Sequence, residues 1–139
     1  MEAVRAFLDA NILFSASLGG GSFGLFWELS KAGKVALYTS RYCYLEAIGN
    51  LQRKHSQSLP KFHELMQSVS YVVDEESTHL EWALALIREK DVPVLTAAVE
   101  AKVDVLITGD LRDFGHLMNR KDLPIAVMTL RTFLLEWSV

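Results

Sequence analysis

Short apolar runs that break off at an acid constrain this chain more than any other feature. Val4 to Leu8 ends in Asp9-Ala10-Asn11, and Val103 to Thr108, rich in β-branched residues, ends in Gly109-Asp110. An apolar run of this length without strict alternation is what a strand shows when both of its faces are covered, as in a parallel sheet. Val35 to Tyr38, Tyr71 to Val73 and Ile125 to Met128 supply three more candidate strands. Helical spacing fills the segments between them. Ile12 to Leu18 reads as a short helix stopping at Gly19-Gly20-Gly21, and Ser22 is positioned to cap a second one carrying Phe23, Phe26, Trp27 and Leu29 toward Gly33. Thr39-Ser40 offers a cap for a helix to Arg53 that turns Tyr42, Leu45, Ile48, Gly49 and Leu51 inward. Leu59 to Val69 and Thr78 to Lys90 follow, the latter with Leu80, Leu84 and Ile87 inward. Asp91-Val92-Pro93 is a helix start, because aspartate accepts backbone N–H bonds and proline tolerates the first turn. That helix runs to about Lys102, and Thr129 caps a last one to Trp137.

Strands that alternate with helices need crossover connections, hence an α/β fold with a parallel sheet and helices on both faces. At 139 residues, half of them apolar, the chain has the size of one domain over residues 1–139 and buries enough surface to need neither disulfide nor structural metal. That apolar share excludes a disordered chain. The lone Cys43 has no partner for an internal bridge, which fits a reducing compartment. Glu2, Arg5 and Asp9 interrupt the N-terminal apolar run short of signal-peptide length, and no window approaches the ~20 apolar residues of a membrane helix. A cytoplasmic protein with no membrane contact is expected. The formal charge of −3 argues against a generally basic nucleic-acid binder and leaves room for a local basic rim.

Each acid has an ordinary structural explanation when taken alone. Asp9 and Asp91 suit helix caps, Asp110 follows glycine in a turn, Asp113 suits the cap of the Phe114 to Met118 segment, and Glu46 suits a solvated helix face. Taken together they belong to one edge of the sheet. Asp9 and Asp110 end strands, Glu46 lies on the helix that starts after the second strand, and Asp91 opens the helix feeding the strongest strand. Ligands of such sheets bind outside the carboxyl ends of the strands. Carboxylates converging there would repel by about 3 kcal/mol per pair at 5 Å and an effective dielectric of 20. Hard oxygen ligands in that number suit Mg2+ or Mn2+, ions that promote phosphodiester hydrolysis by activating water and neutralising charge.

These residues also resemble a known family. Phe7-Leu8-Asp9-Ala10-Asn11-Ile12-Leu13, Leu45-Glu46, Lys90-Asp91-Val92-Pro93-Val94-Leu95 with Ala97-Ala98, Asp104-Val105-Leu106-Ile107-Thr108-Gly109-Asp110 and Asp113-Phe114 are similar, in order, to the motifs of the PIN-domain nucleases. The resemblance implies a three-layer α/β/α sandwich, Mg2+ or Mn2+ as cofactor, and RNA as substrate. It implies Asp9, Glu46, Asp91 and Asp110 as catalytic, metal-binding acids, Asp113 as a fifth acid, and Asn11 and Thr108 as residues that orient ligand or phosphate. A toxin of a toxin–antitoxin pair, its acidic cleft covered by the antitoxin, is the setting it brings with it; an RNA-processing nuclease without antitoxin is the alternative within the family. Arg41, Lys102 and Arg112 flank the acidic motifs and are candidate contacts to the RNA backbone.

Other signals carry less. Gly19-Gly20-Gly21-Ser22-Phe23-Gly24 fits a dinucleotide fingerprint formally, yet it does not follow a strand directly and reads as a flexible loop. His55, His63, His79 and His116 lack paired metal spacing, and Cys43 lacks a second cysteine, which disfavours zinc. Trp27, Trp82 and Trp137 fall at helical spacing and read as core or as the interface of a homodimer. Two readings of other classes compete with the nuclease. An acyl-phosphate phosphatase would use Asp9 as nucleophile, but Asn11 stands where that chemistry wants a second aspartate; an inactive RNA-binding module would have no use for the acids.

Overall fold

The computed structural model describes residues 2–73 and 79–137. Strands β1 (Val4–Leu8), β2 (Val35–Thr39), β3 (Val69–Tyr71), β4 (Val105–Ile107) and β5 (Ala126–Met128) form one sheet in the order β3-β2-β1-β4-β5. Every neighbouring pair is parallel, with Ala6 opposite Val105 and Leu8 opposite Ile107 across the central pair. The helices are α1 (Ala10–Leu18), α2 (Gly21–Lys31), α3 (Arg41–Lys54), α4 (Leu59–Met66), α5 (Leu80–Leu84), α6 (Val92–Glu100), α7 (Leu111–Phe114) and α8 (Leu130–Glu136). They flank the sheet in an α/β/α sandwich, α1 against α3 and α4, and α2 against β2 and α8. The strand order matters for function. The chain leaves β1 toward β2 and β3, then returns to place β4 on the other side of β1, so the β1–β4 pair is the switch point where a crevice opens in such sheets.

Complete burial explains why the last three residues of β1 and all of β4 are apolar, while Arg5 lies in the half-buried start of β1. Ala6, Phe7 and Leu8 of β1 and Val105, Leu106 and Ile107 of β4 are fully enclosed. Burying each large side chain of this kind contributes about 1.5–3 kcal/mol. Phe26 of α2 meets Phe133 of α8 edge to face, ring centroids 5.4 Å apart. Helix starts follow local chemistry: Ser40 accepts from Cys43 N at 3.2 Å to start α3, and Thr129 accepts from Thr132 N at 3.1 Å to start α8.

Several sequence expectations need correction. Helix α2 starts at Gly21 with Gly20 as its cap and no side-chain bond there, so Ser22 lies inside the helix and the Gly21–Gly24 stretch is helical rather than a loop. Only Gly19 and Gly20, at φ of 100° and 131°, make the turn, a backbone region that favours glycine. In α3 the buried stripe is Cys43, Ala47 and Leu51, while Tyr42 and Leu45 are 41% and 50% exposed. Small residues at i and i+4 let α3 lie close to α1, and Tyr42 and Leu45 take the outer face while Ile48 stays half-buried against the core. The helix expected from Thr78 to Lys90 is much shorter. Thr78 lies outside the described residues, α5 ends at Leu84, and Ala83 and Ile87 are buried while Leu80 and Leu84 face solvent. Strand β3 opens at Val69, which cuts the preceding helix at Met66. Among the described residues no helix is long and apolar enough to cross a membrane.

Candidate metal centre

Asp9 ends β1 at the switch point, 6% exposed. Its Oδ1 accepts from Ala10 N at 2.7 Å, which caps α1, and its Oδ2 accepts from Thr108 Oγ1 at 2.7 Å and from Asn11 Nδ2 at 3.1 Å. Asn11 completes the link between the strands, its Oδ1 accepting from Gly109 N at 2.7 Å. A Cβ added to Gly109 would stand 3.3 Å from that same oxygen, so glycine permits the close approach. Burial pushes the Asp9 carboxyl above its ordinary value of 3.8; the Thr108 and Ala10 bonds oppose this, and the negative charges of Glu46 and Asp91 add to it. Cys43 Sγ lies 3.9 Å from Asp9 Oδ1, and its fully buried thiol is pushed up to about 12, chiefly by desolvation and then by Asp9. That thiol is neutral and unreactive at neutral pH.

Three further carboxylates meet beside this group. Asp91, in the 3-10 turn before α6, Asp110, in the turn after β4, and Asp113, on α7, bring oxygens within 4.8 Å of one another. Asp110 is also the cap of α7, accepting from Asp113 N at 3.0 Å. Asp91 makes no side-chain cap bond. Its carboxylate turns instead to Lys90, whose Nζ stands 3.0 Å from Oδ2 and 3.2 Å from Oδ1. The same ammonium lies 2.7 Å from Asp113 Oδ2, and Arg88 Nη1 lies 3.1 Å from Asp113 Oδ1. Lys90 and then Arg88 hold the Asp113 carboxyl well below the usual carboxylate range, whereas burial raises that of Asp91 against the pull of Lys90. Asp113 is thus a helix residue paired with two cations and not the cap of the following segment.

Glu46 is exposed on α3 and borders, with Asn11, Ser15, Phe23, Gly109 and Asp110, an open groove of about 520 Å³. Its charge acts on Asp9 and on Tyr42. Arg41, the first residue of α3, and Arg112, on α7, are exposed at the same end of the sheet. Lys102 is not brought there. It occupies the turn before β4 at φ 55°, its carbonyl accepting from Arg5 Nη1 at 3.2 Å, at the amino end of the strand whose carboxyl end carries Asp110. Arg88 and Lys90 are the charged partners that sequence reasoning left without a role. Their signal was faint, a charged run Arg88-Glu89-Lys90-Asp91, since the partner Asp113 is 25 residues from Arg88.

A family model described as PIN domain matches residues 5–112. The chain belongs to the PIN-domain family. The match includes Asp9, Glu46, Asp91 and Asp110 and stops one residue before Asp113. No curated protein matches the chain by sequence. Among solved structures, this PIN domain is similar to VapBC2 from Rickettsia felis bound to a DNA fragment from their promoter, with a TM-score of 0.66 and 15% identity over 89% of this chain and 97% of that one. It is similar to VapBC-1 from nontypeable Haemophilus influenzae, with a TM-score of 0.64 and 18% identity over 92% and 99%. A third likeness, TM-score 0.62 and 19% identity over 95% and 93%, is to PAE2754 from Pyrobaculum aerophilum.

The acids of this PIN domain fit a divalent cation. Asp91 Oδ2 is enclosed and meets the Lys90 ammonium at 3.0 Å as an ion pair rather than an aligned hydrogen bond. Three carboxylates this close repel one another, and Lys90 and Arg88 supply only two positive charges against them, so a further cation is favoured there. The donor set is all oxygen, which suits Mg2+ or Mn2+ rather than a softer metal.

Proposed function

We propose that this PIN domain is a Mg2+- or Mn2+-dependent endoribonuclease, a hydrolase of RNA phosphodiester bonds, and the toxin of a toxin–antitoxin pair working in the cytoplasm. The observation that carries the proposal is the convergence of Asp91, Asp110 and Asp113, from separate elements, beside Asp9 at the switch point of the sheet, with more negative charge than Lys90 and Arg88 offset. Asp9, Glu46, Asp91 and Asp110 would hold the cation. Bound there, the ion supplies activation of the attacking water and neutralisation of phosphate charge.

The remaining steps belong to the chain. Thr108 and Asn11 fix Asp9 against rotation, so its carboxylate keeps one orientation toward the crevice. Asn11 also holds the Gly109 amide and with it the path of the backbone into Asp110. Arg41 and Arg112 would meet the RNA backbone at the rim, offsetting its repulsion by the acids. The likeness to the two VapBC structures supports the toxin setting, in which an antitoxin protein covers the acidic crevice. Labelled single-stranded RNA incubated with the purified protein tests the activity. Cleavage with Mn2+ that stops in EDTA and in Glu46→Gln is expected, and cleavage that persists in both would overturn it.

A further inference from the structure

We infer that the Lys90 ammonium is a built-in counter-cation of the metal centre, one that bridges Asp91 and Asp113 in the metal-free protein and leaves Asp91, while keeping Asp113, when a divalent ion binds. The inference rests on the metal reading above. Lys90 Nζ stands 3.0 and 3.2 Å from the two oxygens of Asp91 and 2.7 Å from Asp113 Oδ2, so one ammonium spans two of the three carboxylates that converge. A Mg2+ ion ligated by Asp91 would sit about 2.1 Å from a carboxylate oxygen, and therefore within about 5 Å of that ammonium. Two cations at that separation compete for the same carboxylate.

The surroundings decide which one yields and where it goes. The Lys90 side chain is 56% exposed, with solvent around its stem, whereas its backbone is held, the carbonyl accepting from Tyr42 Oη at 3.0 Å. Asp113 is the fixed end, buried, with Oδ2 on Lys90 and Oδ1 on Arg88. Two cations hold Asp113, whereas the two oxygens of Asp91 share the one Lys90 ammonium. Asp91 is thus the carboxylate released to the ion. Asp113 acts through Lys90 as a positioning residue, which departs from its expected part as a fifth metal acid.

Calorimetric titration with Mn2+, together with metal-free melting, tests this on wild type, Lys90→Gln, Lys90→Arg, Asp113→Asn and the double variant Lys90→Gln/Asp113→Asn. Lys90→Gln removes the competitor and is expected to bind Mn2+ about tenfold tighter and to melt lower without metal. Lys90→Arg keeps the charge and stays near wild type. Asp113→Asn lets Lys90 settle on Asp91 alone and binds more weakly, and the double variant regains the affinity of Lys90→Gln. Wild-type binding with Lys90→Gln unchanged or weaker overturns the inference alone, as does a double variant as weak as Asp113→Asn, which would make Asp113 a ligand. A wild type that binds no Mn2+ overturns both this inference and the metal reading.

Discussion

Thr108 Oγ1 donates to Asp9 Oδ2 at 2.7 Å, a bond between residues 99 positions apart that ties the carboxyl ends of the two central strands. The same hydroxyl oxygen accepts from Asp110 N at 3.1 Å and from Asn11 Nδ2 at 3.3 Å. One threonine therefore sets the geometry of two acids and the asparagine between them.

Thr108→Val keeps the shape and removes the hydroxyl. A loss of about 1–3 kcal/mol of stability is expected, because a buried carboxylate loses a donor. The Asp9 carboxyl, already raised by burial, loses a bond that pulls it down and rises further. A raised carboxyl favours the protonated folded state, so its contribution to stability falls as pH rises above the ordinary value of 3.8. The deficit of the variant should then be larger at pH 7 than at pH 3, and the acid limb of its cleavage profile should move to higher pH. Equal deficits at both pH values would contradict the role given to Thr108.

Gly109→Ala should separate geometry from stability. The added methyl would press on Asn11 Oδ1 at 3.3 Å and displace the side chain that holds the Gly109 amide and braces Asp9. Melting should change by less than about 1 kcal/mol, since Gly109 is exposed. Cleavage should fall by roughly tenfold or more, through misplacement of the acids. A variant that cuts at the wild-type rate would show that this close approach has no part in catalysis.

How much of this was legible beforehand follows from the range of each interaction. Asp9 and Asp110 stood out because parallel strands buried on both faces are apolar until they leave the core, so the first acid marks the strand end. Facing of helices was harder. On α3 the larger Tyr42 and Leu45 drew the inward assignment, yet close packing on α1 selects Cys43 and Ala47. Asp91 carries the sequence pattern of a cap, but the ammonium beside it offers a stronger partner than a backbone amide. Lys102 precedes a strand whose far end carries the acid, and nearness in sequence misled about nearness in space. The pairing of Arg88 and Lys90 with Asp113 depends on how α7 docks, which no local pattern encodes.

Arg41 and Arg112 are expected to act in binding rather than in chemistry. Both are exposed at the acidic end of the sheet, so alanine at either should leave folding intact. Each substitution should raise KM for RNA, lower its salt dependence and leave kcat near wild type. Lys102→Ala, at the other end of the strand, should change none of these. An effect of Lys102→Ala equal to that of Arg112→Ala would contradict the assignment of the RNA-facing rim.

The central claim is that Asp9, Glu46, Asp91 and Asp110 share one cation, and melting of wild type and Asp110→Asn, each in EDTA and in Mn2+, tests it most directly. Asparagine can still cap α7 by accepting from Asp113 N, so the substitution removes charge with little loss of local structure. In EDTA the variant should melt higher than wild type, because one negative charge has gone from within 4.8 Å of Asp91 and Asp113. Mn2+ at a hundredfold excess over Kd should stabilise wild type by about 2.7 kcal/mol, roughly 8 °C for a chain of this size, and the variant much less. Curves that coincide in all four conditions would contradict a shared metal site.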